Sequence, residues 1–272
     1  MLNDHMISPL AHIHPDARLA AGVTVEPFTT IAADVEIGEG TWVGPNVTIM
    51  DGARIGAHCQ IFPGAVVAAI PQDLKFAGER TTAHVGDYTV LRECVTVNRG
   101  TVDRGRTVVG AHCLLQAYVH IAHDCLVGNH CVISNAVQIA GHVQVGDWAI
   151  LGGMTAIHQF ANIGAHAFIG GGSLVRKDVP PFVKAAREPL TYAGVNSVGL
   201  RRRGYSEQQV LEIQDLYRIV FLSGLNTQEA LARIEAEVPA SAERTLALAF
   251  VRAASRGIIK GPGKKGLDEG AE

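Results

Sequence analysis

The densest run of side chains able to do chemistry is His120-Ile121-Ala122-His123-Asp124-Cys125. Similar groups return eighteen residues later at Ala140-Gly141-His142, and after another eighteen at Ile157-His158-Gln159-Phe160. If one rigid surface holds these segments side by side, the chemistry they suit is acyl transfer. A neutral imidazole, close to its pKa at physiological pH, can remove the proton from an attacking hydroxyl or amine. Asp124, next to His123, can orient the ring and stabilise its charged form. Gly141 has no side chain, so its N–H is open to a developing oxyanion. No nucleophilic Ser or Cys stands out nearby, which favours direct attack by the acceptor over an acyl-enzyme. His120 and His142 read as binding or packing groups. The bland alternative is a set of surface histidines that only pair with their neighbours.

The elements that must hold these groups show in a period of six. From Ile7 to Val67 every sixth residue is Ile, Leu or Val. The phase resumes at Val85, Leu91 and Val97, and again from Val109 to Val175. Only Asp73, Glu79 and Asp103 break it. Neither a helix nor an alternating strand produces that period, whereas a solenoid of hexapeptide repeats does. Four residues after each aliphatic comes a small or β-branched residue such as Val119, Cys125, Val137 or Val143. Each hexad therefore turns one large and one small side chain inward, and short strands stack into a parallel β-helix. Gly often follows the aliphatic, as at Gly38, Gly56, Gly110 and Gly128, where a tight turn can use it.

Composition agrees. Only 18% of the residues are charged and 30 of 272 are Gly, as suits a β-helix with outer faces partly covered by other subunits. The net charge of −3, without a long basic run, argues against nucleic acid as a partner. Four of the five cysteines, Cys59, Cys113, Cys125 and Cys131, fall on the small inward position, where packing explains them. An odd count without zinc-like spacing fits a reducing cytoplasm. No apolar run is long enough for a signal peptide or a membrane span.

The solenoid is expected over residues 1–190, at about ten coils, with loops near 68–84 and 98–108. Loops on a rigid scaffold are where binding groups concentrate. Pro180-Pro181 marks the end of the array. A helical domain should cover 191–259. Ser206 and Gln209 form a capping box for a helix that carries Val210, Ile213, Tyr217 and Val220 on one face and ends before Gly224. Further helices are expected over 228–237 and 242–254. The Gly-, Lys- and Glu-rich segment 260–272 is expected to be a disordered tail.

The repeat resembles the left-handed β-helix acyltransferases, in which three hexads make one triangular coil of eighteen residues. That coil length implies that residue i lies about 4.8 Å from residue i+18. It puts Gly141 over His123, His142 over Asp124 and Gln159 over Gly141, with His158 alongside. More narrowly, an ordered set of motifs is similar to the UDP-N-acetylglucosamine O-acyltransferases that start lipid A synthesis. The set comprises Gln72-Asp73-Leu74-Lys75-Phe76, Asn98-Arg99-Gly100-Thr101, the His120–Cys125 run, Ala140-Gly141-His142, Gly152–Phe160 and Asn196–Gly204.

That resemblance implies transfer of a 3-hydroxyacyl chain from acyl carrier protein to the sugar 3-hydroxyl, with no metal and no cofactor. His123 would be the general base, Asp124 its orienting partner and the Gly141 amide the oxyanion donor. Asp73, Lys75, His120, His142, His158, Gln159, Asn196 and Arg203 would bind the UDP-sugar. Gly171 falls where the family measures acyl length, and glycine there implies a longer chain. The family is homotrimeric, with sites between neighbouring β-helices. The C-terminal helices, with Arg201 to Arg203 nearby, would help to recruit the acidic carrier protein.

The chain departs from the family pattern at three places. Asn98 stands where relatives carry His, Val198 where they carry Glu, and Pro71 where they carry Asn. The first two bear on sugar contacts rather than on the base. Some relatives acylate a 3-amino sugar nucleotide, so an amide product stays open. Early hexads count against the pathway's later N-acyltransferase, which has an extra N-terminal domain. Serine and sugar acetyltransferases lack the Gln-Asp-Leu-Lys loop and the helical end. The alternative from another class is a γ-type carbonic anhydrase, a β-helix trimer holding zinc with three histidines between subunits, here His120, His123 and His142. A non-catalytic interaction solenoid is the remaining alternative.

Overall fold

The computed structural model describes residues 6–262. The chain coils into a left-handed parallel β-helix with three flat faces, followed by a small helical region. The faces contain eleven, nine and eight strands, and most strands are only two residues long. So short a strand has no stability of its own. It is held by parallel hydrogen bonds to the rungs on either side, such as His120 N–H to Val137 O at 3.0 Å and Leu126 N–H to Val143 O at 2.9 Å.

Within uninterrupted stretches the register is eighteen residues, as in Ile121 against Ile139 and Ile139 against Ile157. The large and small hexad positions both point inward and are almost fully buried, including Ile121, Cys125, Ile133, Val137 and Ile139. The small position also has a polar task at the corners. Thr29, Thr41 and Thr89 donate their hydroxyls to the carbonyls of Gly44, Gly56 and Gly110. Cys59, Cys113, Cys125 and Cys131 donate S–H to Gly86, Gly128, Ala140 and Gly146 in the same way. These corner carbonyls are mostly half-buried, and the side chains supply donors to them, so four of the cysteines are packing residues with weak donors.

The glycines after the aliphatics do not make the turns. Left-handed backbone falls two residues later, on His58, His112, Asp124, His130, His142 and Trp148, among others. The glycines are needed for close approach between rungs: a Cβ on Gly110 would lie 2.6 Å from the carbonyl carbon of Gly128, and one on Gly38 would lie 2.5 Å from that of Gly56.

The two interruptions are shorter than expected, covering residues 70–81 and 99–105 between strands. They change the register locally. Gln60 pairs with Val90 across the first, and Val90 pairs with Leu114 across the second. Asn98 ties the interruptions together by donating its buried side-chain amide to Ile70 O at 2.8 Å.

After the last rungs, Val183–Ala186 and Thr191–Val195 form an antiparallel pair. Four helices follow: α1 (Ser197–Arg202), α2 (Glu207–Leu222), α3 (Thr227–Glu237) and α4 (Ala242–Ala253). The Ser206–Gln209 capping box is present at the start of α2. Helix α1, capped by Asn196, is not visible as a pattern because it is a single short turn-and-a-half. The expected tail does not begin at Lys260, because Ile258 and Lys260 return to bridge Asp178 and Thr191 at the end of the β-helix. Residues 263–272 of that expected tail lie outside the described residues.

Because the core is a single stacked column, truncating one rung should destabilise the fold well beyond the loss of an outward side chain. Ile139→Ala should cost roughly 2–5 kcal/mol and lower the thermal midpoint by several degrees. Gln144→Ala, on an outward position of the next strand, should shift stability by less than about 0.5 kcal/mol in the same denaturation measurement.

Candidate active site

The site occupies the corner between the second and third faces, where Asp124, His142 and Phe160 take successive left-handed corner positions. The Asp124 side chain is fully buried, although it sits at a corner that would ordinarily face solvent. The second interruption covers it. One carboxylate oxygen accepts the Thr101 hydroxyl at 2.6 Å, and the Thr101 N–H reaches both oxygens at 3.0 and 3.1 Å. The Arg104 N–H adds a contact of 3.2 Å. Burial alone would raise the pKa of this carboxyl, but the hydrogen bonds from Thr101 and His123 outweigh it and hold it below the usual carboxylate range.

His123 Nδ1 lies 2.8 Å from Asp124 Oδ2. An ionised carboxylate only accepts, so Nδ1 carries the proton and Nε2 is left as the basic nitrogen. The ring stands against Gly141 on the next rung. A Cβ there would lie 2.6 Å from His123 Cε1 and Nε2, so only glycine leaves room for the imidazole.

The Gly141 N–H makes no backbone hydrogen bond among the described residues. Its counterparts in other hexads show where it points. Ala57, Ala111 and Asn129 donate the same N–H to a side-chain oxygen of the following rung, at 2.7–2.9 Å. Gly141 thus offers an unused donor aimed at the place of an oxygen atom.

His142 meets His123 edge-on, with ring centroids 5.0 Å apart, and stacks on Phe160 at 4.4 Å. Its Nδ1 is 3.2 Å from the Asp103 carboxylate but off the hydrogen-bonding line, so that nitrogen has no hydrogen bond among the described residues. A cavity of about 280 Å³ opens here, and both interruptions contribute to it: Asp73, Lys75, Glu79 and Asp103 line it together with His142 and Phe160.

The structure therefore brings together His123, Asp124, Gly141, His142, Asp73 and Lys75. Gln159 is exposed on the rung above Gly141. Other expected site residues fall elsewhere in the single chain. His120 lies on the outer face of the second sheet with Nδ1 2.7 Å from the Thr96 hydroxyl. Burial lowers its pKa, with the neighbouring His123 adding to the effect. His158 turns away toward Arg256, whose guanidinium is 3.3 Å from Nδ1.

Asn196 caps α1 and donates to His166 O at 2.9 Å, so its buried side chain is already engaged. Arg203 lies over Trp148, 5.3 Å from the ring centroid, with a guanidinium nitrogen 3.3 Å from His166. Arg201 is paired with Glu207, which leaves Arg202 as an exposed member of that cluster that makes no ion pair among the described residues. A Cβ on Gly171 would meet Gly153 O at 3.1 Å, so two glycines stack on successive rungs there.

Among the described residues of one chain, His120, His123 and His142 do not converge on one point. The potential ligand atoms that do come together belong to His123, Asp124 and His142, all within 4.8 Å of one another. Both Asp124 oxygens are already taken by Thr101, Arg104 and His123, a donor set that suits an orienting carboxylate. Nor is a nucleophile at hand: burial pushes the Cys125 thiol up to about 12.

A separate corner, not apparent from the sequence, holds a column of parallel rings: His58, Tyr88, His112, His130, Trp148, His166 and Phe182. Its members recur at the spacing of the rungs, which is the signal that could have revealed it.

A coiled hexapeptide solenoid with a His held by a buried Asp and an open amide on the next rung defines a hexapeptide-repeat acyltransferase. Residues 34–69 and 106–139 match the bacterial transferase hexapeptide family, and residues 178–259 match the family described as UDP N-acetylglucosamine O-acyltransferase, domain 2. An acyl-[acyl-carrier-protein]–UDP-N-acetylglucosamine O-acyltransferase from a Sulfurihydrogenibium species is 55% identical, over 96% of this chain and 97% of the relative. The one from Thiobacillus denitrificans is 45% identical over 93% and 99%. The solved UDP-N-acetylglucosamine acyltransferase of Bacteroides fragilis superposes with a TM-score of 0.93 at 48% identity, covering 94% of this chain and all (100%) of that one. The chain belongs to the UDP-N-acetylglucosamine O-acyltransferase family.

The ring column has a measurable electrostatic consequence. Burial first, and then the Arg203 charge, lower the His166 pKa to about 4, while Asp147 and Glu243 oppose them weakly. His166 is therefore neutral in the fold, whereas in the unfolded chain it takes up a proton below about 6.5. Stability from this group should be complete above that pH and fall as pH drops toward 4. The imidazole should titrate near 4 by NMR, and replacing His166 with Gln should flatten the stability profile between those two pH values.

Proposed function

We propose that this protein transfers a 3-hydroxyacyl chain from acyl carrier protein to the 3-hydroxyl of UDP-N-acetylglucosamine, the first step of lipid A synthesis. The observation that carries this mechanism is the Asp124-held His123 ring lying against Gly141. His123 Nε2 takes the proton from the sugar hydroxyl as that oxygen bonds to the thioester carbonyl carbon. The carbonyl oxygen becomes an oxyanion that accepts the Gly141 N–H. The carbon–sulfur bond then breaks, and the proton on His123 passes to the departing thiolate. Base, orienting group and oxyanion donor all come from the chain, so the step requires no metal or cofactor.

The cavity beside His142 is the proposed place for the UDP-sugar, with Lys75 toward its phosphates and Asp73, His142 and Gln159 toward the sugar. Asn196 and Arg203 sit at a different corner from His123 of the same chain. A part for them in sugar binding therefore needs a second copy, which a homotrimer with sites between adjacent β-helices supplies. His120 and His158 would act from the same interface. Glycine at Gly171 leaves the groove open for a longer hydroxyacyl chain. No helix among the described residues is long and apolar enough to cross a membrane, and we place the enzyme in the cytoplasm, where both substrates are soluble.

The reading is tested by acyl transfer from a series of 3-hydroxyacyl carrier proteins to UDP-N-acetylglucosamine and to its 3-amino analogue. His123→Ala should lower kcat by about 10²–10⁴-fold. Full activity in that variant, or stoichiometric zinc lost together with His123, would overturn the mechanism. The preferred acceptor decides between ester and amide products. In the same assay Gly141→Ala, whose new methyl must displace the imidazole, should lose about 100-fold in kcat while the thermal midpoint stays within a few degrees of wild type.

A further inference from the structure

We infer that Thr101 is a positioning residue for the base, acting through Asp124, and that the second interruption of the repeat exists to supply it. The inference rests on the acyl-transfer reading above. In an unbroken array the side chain at this hexad position is exposed, as those of Tyr88, Tyr118 and Phe160 are. Asp124 instead has no exposed surface. Thr101 gives it both a hydroxyl and a backbone N–H, and the hydroxyl contact, at 2.6 Å, is the shortest the carboxylate makes. From the other side Thr107, itself fully buried, accepts the Asp124 N–H at 2.8 Å and fixes its left-handed backbone.

The loop can close on Asp124 only because Gly100 lets it pass. A Cβ there would lie 2.3 Å from the Arg106 nitrogen. Carboxylate rotation and carboxylate charge are thus both set by residues of the interruption. The oxygen that takes the Thr101 hydroxyl is also the one that accepts from His123 Nδ1. The hydroxyl therefore shares the charge that would otherwise stabilise the imidazolium, and it keeps the base from becoming too strong to release its proton. The other titratable groups near His123 are His142 at 5.0 Å between ring centroids and His120, with Asp103 behind His142 and Arg104 on the loop itself.

The test uses the full-length protein with Thr101→Val, which keeps shape and backbone N–H but removes the hydroxyl, and Thr101→Ser, which restores the donor. Thr101→Val should lower kcat by roughly 10- to 100-fold, the worth of one hydrogen bond to a charged group. KM for both substrates should stay within about twofold. The acid limb of the kcat/KM profile should move to higher pH, because the unshared carboxylate charge makes His123 more basic. Thr101→Ser should recover most of the activity and the wild-type limb. Wild-type rates and limb in Thr101→Val would overturn the inference, and so would a loss with an unmoved limb that Ser fails to rescue, the mark of a purely structural role. If His123→Ala were also fully active, the failure would belong to the acyl-transfer reading instead.

Discussion

The hydrogen-bond register between successive rungs is the constraint on which everything else rests. A two-residue strand cannot choose its own place. It is fixed by amides and carbonyls one rung away, and in this chain that fixes residue i against residue i+18 for most of the coil. Side-chain positions on the surface are then discrete, about 4.8 Å apart along each corner. Once His123 carries a ring that leans along the corner, the residue eighteen later has no room for a side chain, and Gly141 is the result. The same rule makes the corner glycines compulsory where rungs touch, and it builds the ring column from residues far apart in sequence.

A regular hexad array has one deficiency as a catalytic scaffold: its corners are open to water. A carboxylate there would be well solvated and weakly directional. The interruption at residues 99–105 removes Asp124 from solvent and replaces the lost hydration with four contacts from Thr101 and Arg104. Desolvation opposes ionisation and the donated hydrogen bonds favour it, and the second effect wins. The outcome is an ionised carboxylate with almost no rotational freedom, which is what an orienting partner for imidazole must be. The first interruption brings Asp73 and Lys75 over His142 and so adds a cavity to the pair.

These facts explain what the sequence made legible. The period of six sets the fold, the inward positions and the buried cysteines directly. Because residues 120–160 contain no interruption, adding eighteen correctly superposes Gly141 on His123 and His142 on Asp124. The rule fails where the array is broken. Thr101 lies twenty-three residues before Asp124, a distance that no fixed period connects, so its hydrogen bonds could not be foreseen. Motif alone places Asn196 and Arg203, and pattern does not show that one caps a short helix while the other packs on Trp148. Rung number groups His158 with the base, yet its side chain answers to Arg256, in a segment with no periodic relation to the coils. The frequent glycine after the aliphatic is legible as a constraint, but its cause is contact between rungs rather than turn geometry.

The spacing of the scaffold also suits the proposed reaction. In a tetrahedral intermediate the attacking oxygen and the oxyanion are separate atoms on one carbon. A base must reach the first and a donor the second, each at hydrogen-bonding distance. Groups on the same rung would crowd that carbon, and groups two rungs apart would be nearly 10 Å from each other. Adjacent rungs give a separation that two hydrogen bonds and one carbon centre can span. Placing the base on the rung of His123 and the donor on that of Gly141 therefore turns the spacing of a β-sheet into the spacing of a transition state. The ring column on another corner uses the same interval for stacked aromatics, so one repeat distance serves both packing and chemistry.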